Sequence, residues 1–481
     1  MNTWATPQRG SGGYDLLLDL AGQRTRAGIE EALRAAVRDG RLAPGTRLPS
    51  SRVLAHDLGL ARNTVADAYG QLVAEGWLTA RQGSGTTVAA RPAVPLRRPV
   101  PPPQDRPRIA PSDVVPHPSG LPYVLWPGSP DLSSFPRTAW LRAARRALTA
   151  APNEAFGYGD PRGRPELRAA LAGYLARVRG VRTDPDHLVI CSGYTQAVGL
   201  LARALYARGA RSAAVEAVGL PDTPTVLRAN GLDPVPLPVD ADGARVADLG
   251  PGVPAVVLTP AHQFPLGVRL SPERRTAVVA WARSTGGIVV EDDYDGEFRY
   301  DRQPVAALQA LAPDHVVYAG TASKSLAPAL RLAWLAVPPH LLDAVVREKR
   351  LADHLSAVID QLTLAEFISS GAYDRHVRRM RVRYRARRDR VVEMLALRAP
   401  GVRVSGIAAG LHAVLDLPAQ GPPLRTVLGR AQRLGLAVPG LSAFGAAPDH
   451  PPALVVGYAT PPDHAFSTAL SLLCDALAAG A

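Results

Sequence analysis

The sequence predicts two folded units of different class: an N-terminal α+β domain of winged helix-turn-helix form and a C-terminal α/β domain with a large and a small part, joined by a proline-rich linker. Three observations carry this. Residues 91–111 hold eight prolines and no helical or strand periodicity, so the chain is cut there into separate domains. Before the cut, three short helical patterns lead into two strand-like runs around a turn. After it, apolar runs of strand length alternate with helical stretches, as in a parallel sheet covered by helices. The expected boundaries are residues 15–90 for the first domain, 91–112 for the linker and 113–481 for the second, with a smaller subdomain from about residue 340.

Composition bounds the function. A chain of 481 residues exceeds one ordinary core. Apolar residues at 47% and charged residues at 20% exclude wholesale disorder. There is no apolar run of about 18 residues, and the polar start MNTWATPQRGSGGYD lacks the regions of a signal peptide. A cytoplasmic protein without membrane contact is therefore expected. Cys191 and Cys474 are too few for a disulfide framework. Of 55 basic residues only Lys324 and Lys349 are lysines, so arginine supplies nearly all of the +13 net charge. High pI in so Ala-, Pro- and Gly-rich a chain does not by itself assign a nucleic-acid partner. Lysine scarcity is more informative: a lysine kept among apolar, small residues suits chemistry that arginine, which does not lose its proton, cannot do. Lys324 is such a residue.

Residues 25–38 carry Ile29, Leu33, Ala36 and Val37 at helical spacing, and RLAPGTRLPS ends the helix. Ser50 or Ser51 can cap a second helix over 52–58, Gly59 makes the turn, and Asn63 can cap a third helix to about Glu75. WLTARQGSGTTVA then reads as two short strands around a turn at 82–85. The proline-rich linker that follows is semi-rigid, reaching roughly 60 Å at about 3.1 Å per residue. Beyond it, strands are expected at 187–191, 213–218, 255–258, 287–291 and 315–319, with helices such as 195–207 and 271–285 between them. Helices dominate from about 339, with strands near 402–417 and 453–458.

In a helix-turn-helix the second helix of the pair enters the major groove. Here it begins LARNTVADAY, so Arg62 can meet guanine or phosphate, Asn63 and Thr64 can read a base or a backbone oxygen, and Arg52 on the preceding helix faces phosphate. Residues 40–89 resemble the GntR winged helix-turn-helix throughout. The resemblance implies that Arg52, Arg62, Asn63 and Thr64 contact DNA, and that Gln82 and Gly83 form a wing tip entering the minor groove. Charge over 22–89 is only modestly positive, which suits a dimer reading paired half-sites of double-stranded DNA.

The second domain carries the parts of a pyridoxal 5'-phosphate site: an amine for the Schiff base, a carboxylate for the pyridine nitrogen and a cup for the phosphate. TASKSLAPALRLAW gathers Thr321, Ser323, Lys324 and Arg331 after a strand. The apolar setting, with Arg331 nearby, should depress the Lys324 pKa. GIVVEDDYDGEFRY ends a strand in three acids, assigning Asp292 to the ring nitrogen and Tyr294 to the ring hydroxyl. Metal binding competes for these acids, but no histidine or second oxygen cluster stands at ligand spacing, and no metal site is expected. CSGYTQAVGLLARAL places Gly193, Tyr194 and Thr195 at a helix start, an anion site by geometry. In this order the motifs resemble the fold-type I aminotransferases, and in particular the MocR subfamily, which fuses such a domain to a GntR reader. That resemblance implies a homodimer in which Tyr158, in FGYGDPRGRPELR, reaches the partner's cofactor phosphate.

Two positions depart from the family. Leu220 stands where an aromatic residue often covers the cofactor ring. Val455 stands where aminotransferases place the arginine that clamps a substrate carboxylate, and valine cannot build a bidentate clamp. These departures favour a regulator that senses the cofactor or a small amine over a working aminotransferase that also binds DNA; an empty, inactive scaffold is a third alternative. The nine arginines between Arg375 and Arg390 read mainly as a solvated helix face, with an auxiliary phosphate role open.

Overall fold

A computed structural model of the chain describes residues 25–81, 85–89, 120–250, 252–300 and 305–478. The chain divides into two compact units, residues 1–106 and 107–481, and the division falls within the proline-rich stretch. No described helix is long and apolar enough to cross a membrane.

In the first unit α1 (Arg26–Arg38) starts at Thr25, whose hydroxyl accepts from the Gly28 amide. Helix α2 (Ser51–Leu58) is capped by Ser50, which accepts from the Val53 amide, and ends at Gly59 in the left-handed region at φ 64°. Helix α3 (Arg62–Ala74) starts two residues earlier than the sequence suggests. Ala61, not Asn63, holds the cap position in extended backbone, and no side chain caps the helix. The tight turn is the cause: Leu60 N bonds back to Ala55 O, and Thr64 N already bonds to Ala61 O. Asn63 therefore lies inside the first turn with its amide side chain unspent on capping. Strands β1 (Leu78–Arg81) and β2 (Gly85–Val88) pair antiparallel, and Arg47 bridges to Thr87 at their edge. Gln82 and Gly83 lie outside the described residues. Ile29, Leu33, Leu54, Val65, Leu72, Leu78 and Val88 form one core under helices and wing, with the Tyr69 hydroxyl donating to Pro49 O.

The second unit is built on a seven-stranded sheet. Its strands in chain order are β3 (Leu188–Cys191), β4 (Ser212–Glu216), β5 (Asp233–Leu237), β6 (Ala255–Leu258), β7 (Ile288–Asp292), β8 (Val316–Thr321) and β9 (Ala333–Ala336). Across the sheet they run β3-β9-β8-β7-β6-β4-β5. Neighbours are parallel except at β9, antiparallel to β8 and β3. Sequence alternation predicts parallel strands and misses β9. Only residues 322–332 join β8 to it, too short a path for a helical crossover, so the chain folds straight back. Helix α4 (Tyr194–Ala207) follows β3, α5 (Pro272–Thr285) precedes β7, and α6 (Pro339–Asp353) follows β9. Helices α7 (Val358–Ser369) and α8 (Ala372–Arg398) lead into a three-stranded antiparallel sheet, β10 (Arg403–Ser405), β11 (Ala413–Asp416) and β12 (Ala453–Val456), packed with α9 (Asp463–Leu477).

The arginine-rich α8 is only partly a solvated face. Arg375, Arg378, Arg379, Arg381, Arg385 and Arg390 are exposed. Arg387 is buried, held by Asp131, Asp463 and three carbonyl oxygens, and Arg383 shares Asp131 with it. Those two arginines are structural: they tie the helix to the segment before the sheet and to the start of α9.

Candidate functional site

Parallel strands deliver their following residues to one edge of the sheet, where a crevice opens. Here β3 leads to Ser192 and Gly193, β4 ends at Glu216, β6 leads to Thr259, β7 ends at Asp292, and β8 leads to Ser323 and Lys324. The antiparallel β9 begins at that same edge, its Ala333 pairing with both Thr321 and Cys191, so Arg331 just before it joins them. A cavity of about 500 Å³ opens there. Tyr194, Thr195, Leu220, Asp292, Tyr294, Thr321, Ser323, Lys324 and Arg331 line it.

Lys324 donates from Nζ to Gly128 O at 2.5 Å. Burial lowers its pKa, while Asp292 and Asp295 oppose that shift. The depression expected from the sequence is present, but it comes from desolvation rather than from Arg331. Burial also pushes the Asp292 carboxyl up to about 8, against a hydrogen bond from Tyr194 and the Lys324 charge. The Tyr294 hydroxyl lies 3.0 Å from His262 Nδ1, itself 2.8 Å from Asp295 Oδ2.

At the other end of the cavity α4 begins with no side-chain cap, leaving its first-turn amides free to meet an anion. Gly193, at φ 96°, is required there: a Cβ would intrude on the Arg331 guanidinium. Arg331 is itself in the left-handed region at φ 51° and donates to Ser192 O at 2.6 Å. The Thr321 hydroxyl donates to Ser323 Oγ and accepts from the Ser323 amide, fixing the start of this turn.

Of the residues predicted for the cofactor, Gly193 meets the cavity through Arg331, and Tyr158 stands apart: it is 92% exposed, with its ring 5.9 Å from that of His354. Leu220 lines the cavity, whereas Val455 is fully buried with Phe264, Val414 and Phe444. Among the described residues, the lining cations are Lys324 and Arg331. Sequence reasoning missed Gly128, Glu216, Phe264, His412 and Phe444, which also line the cavity. It also missed that His262, Asp295 and His412 come together, with ligating atoms within 4.8 Å of one another. Their separation along the chain hides this. His262 is engaged by Asp295 and Tyr294, and His412 by Pro265 O at 2.9 Å.

On the first unit Arg52, Arg62 and Asn63 are exposed and Thr64 is half-buried. Arg52 and Arg62 form no ion pair or hydrogen bond among the described residues. The arginines of α1 differ: Arg26, Arg34 and Arg38 are tied to Glu30, Glu31 or Glu75.

Fold and site define a helix-turn-helix DNA reader followed by an aminotransferase-type domain. The family of bacterial regulatory proteins, gntR family, matches residues 25–88, and aminotransferase class I and II matches 128–457. The chain is 36% identical over 388 residues to the probable rhizopine catabolism regulatory protein MocR of Rhizobium meliloti, covering 77% of this chain and 76% of that one. It is 32% identical over 454 residues to the HTH-type pyridoxine biosynthesis transcriptional regulator PdxR of Corynebacterium glutamicum, covering 94% and 96%. An archaeal alanine:glyoxylate aminotransferase structure superposes with a TM-score of 0.67 at 25% identity, covering 74% of this chain and 91% of that one. The chain belongs to the MocR subfamily of GntR-type regulators. It is thus a DNA-binding transcriptional regulator with an aminotransferase-like domain, of a fold that depends in general on pyridoxal phosphate.

Proposed function

We propose that the aminotransferase-like domain binds pyridoxal 5'-phosphate on Lys324, and that the cofactor, or a small amine lacking an α-carboxylate, sets how a homodimer of this regulator grips paired half-sites of its operator in the cytoplasm. One juxtaposition carries the reading: the cavity gathers Lys324, Asp292 and Arg331 around an uncapped helix start, while the clamp position holds a core valine. The donor set fits the group. Arg331, Ser323, Thr321 and the amides of Gly193, Tyr194 and Thr195 would hold the phosphate, Asp292 the ring nitrogen and Tyr294 the ring hydroxyl. When bound, pyridoxal phosphate supplies an aldehyde that condenses with primary amines. Lys324 offers a desolvated amine for that bond, and the buried Phe264 lines the same cavity.

Two further observations support the reading. Tyr158 projects outward, as it must to serve a partner's site, and the Corynebacterium relative is named for regulation of pyridoxine biosynthesis. Ligand binding can shift the DNA-bound state only through unequal affinity for its two arrangements. The test is a gel-shift titration on DNA upstream of its own gene. Affinity should change with pyridoxal phosphate or an amine in the wild type and not in Lys324→Ala; no change in the wild type overturns the proposal. Steady turnover of an amino acid with a keto acid, lost in Lys324→Ala, would favour the aminotransferase alternative instead.

A further inference from the structure

Lys349 is the second of only two lysines among 55 basic residues, and the site described above does not use it. Its side chain is fully buried. Nζ donates to the two oxygens of Asp353 at 2.6 and 2.7 Å and to Ser356 Oγ at 2.9 Å. All three of its N–H groups are thereby used. Asp353 Oδ2 also accepts from Gln196 Nε2 at 2.7 Å. Gln196 Oε1 in turn accepts from the Ser192 amide at 2.7 Å, and Ser192 O accepts from Arg331 Nη2 at 2.6 Å. An unbroken line of hydrogen bonds thus runs from the end of α6, through the first turn of α4, to the cavity arginine.

We propose that Lys349, Asp353 and Gln196 form a positioning brace that holds Ser192, Gly193 and Arg331 in the shape that receives the phosphate of pyridoxal 5'-phosphate. This rests on the cofactor reading above. Two features need such a hold. The start of α4 has no cap of its own, and Arg331 sits in a backbone region unfavourable for a residue with a Cβ. An ion pair with one partner buried and the other, Asp353, open to solvent adds little net stability over an apolar replacement, so its use here is geometric. The chemistry also accounts for the persistence of a lysine. A compact ammonium meets three acceptors arranged around a point, where the planar fork of arginine, used almost everywhere else in this chain, does not.

Gln196→Ala tests the brace, because it cuts the line while leaving the Lys349–Asp353 pair intact. Binding of pyridoxal phosphate and of pyridoxal, which lacks the phosphate, is measured by absorbance titration of the full chain. The phosphorylated form should bind about tenfold more weakly than to wild type, and pyridoxal should change by less than about twofold. Lys349→Met should shift the same preference further, with thermal melting reporting any loss of folding separately. Equal weakening of both forms, or no weakening by Gln196→Ala, overturns the brace. If wild type takes up neither form, the cofactor reading fails as well. If wild type binds pyridoxal phosphate on Lys324 and Gln196→Ala keeps the full phosphate preference, only the brace fails.

Discussion

Lys324 Nζ donates to the carbonyl oxygen of Gly128 at 2.5 Å, joining the turn after β8 to a segment far earlier in the chain. That segment is fixed by the C-terminal part: Gly457 N bonds to Leu125 O, and the Thr460 hydroxyl donates to Trp126 O and Ser129 O. The Lys324 side chain is therefore held by both parts of the second unit.

The first prediction concerns the pH at which this amine reacts. Only the unprotonated form attacks an aldehyde, and burial holds Lys324 below the ordinary lysine range while Asp292 pulls it back. Attachment of pyridoxal phosphate, followed by stopped-flow absorbance, should reach half its limiting rate below that range. Asp292→Asn should move the midpoint lower still. A midpoint at or above that of free lysine would refute the assignment.

Stability should depend on pH through the acids at the sheet. Burial pushes Glu216, Glu291 and Glu297 up to about 7 and Asp292 up to about 8. Each binds its proton more tightly folded than unfolded, where carboxyls titrate near pH 4. Their contribution is therefore full at low pH and is lost as pH rises through 7 to 8. The melting temperature of the cofactor-free chain should fall from pH 5 to pH 8, and Asp292→Asn should reduce the fall. A rising profile over this window would contradict the burial of these groups.

Local patterns made much of this legible. The Ser50 cap, Gly59 and the apolar spacing of Leu33 and Leu72 place the first three helices to within two residues, because those signals act over one turn. Lys324, Asp292 and Arg331 were legible because strand ends carry chemistry and each stands in a short motif. What remained hidden was non-local. No periodicity marks β9 as antiparallel, and no spacing joins Gly128 to Lys324 or His262 to His412. Nor did the run of arginines in α8 show that Arg387 turns inward to Asp131.

Gly193→Ala should separate the anion cup from the rest of the cavity. The residue lies at φ 96°, and its Cβ would intrude on the Arg331 guanidinium, while no strand passes through it. The variant should lose affinity for pyridoxal phosphate by at least about tenfold, a cost of about 1.4 kcal/mol, with the sheet still folded. Circular dichroism beside the absorbance titration checks both. Unchanged affinity would show that the phosphate is held elsewhere.

The DNA face supplies the last prediction. Arg52 and Arg62 are exposed and unpaired among the described residues, whereas Arg34 is held by Glu30 and Glu75. A cation bound to phosphate releases counterions, so removing one should lower the slope of log affinity against log salt by about 0.9. Arg52→Ala should do this on operator and unrelated DNA alike. Arg62 opens α3, the helix expected in the major groove. Arg62→Ala should cost about 1–3 kcal/mol on the operator and less on unrelated sequence. Arg34→Ala should instead lower the melting temperature of the first unit, with little change in salt slope, because its partners are internal. Fluorescence anisotropy at several salt concentrations distinguishes the three. Equal slopes for wild type and Arg52→Ala would remove Arg52 from the interface.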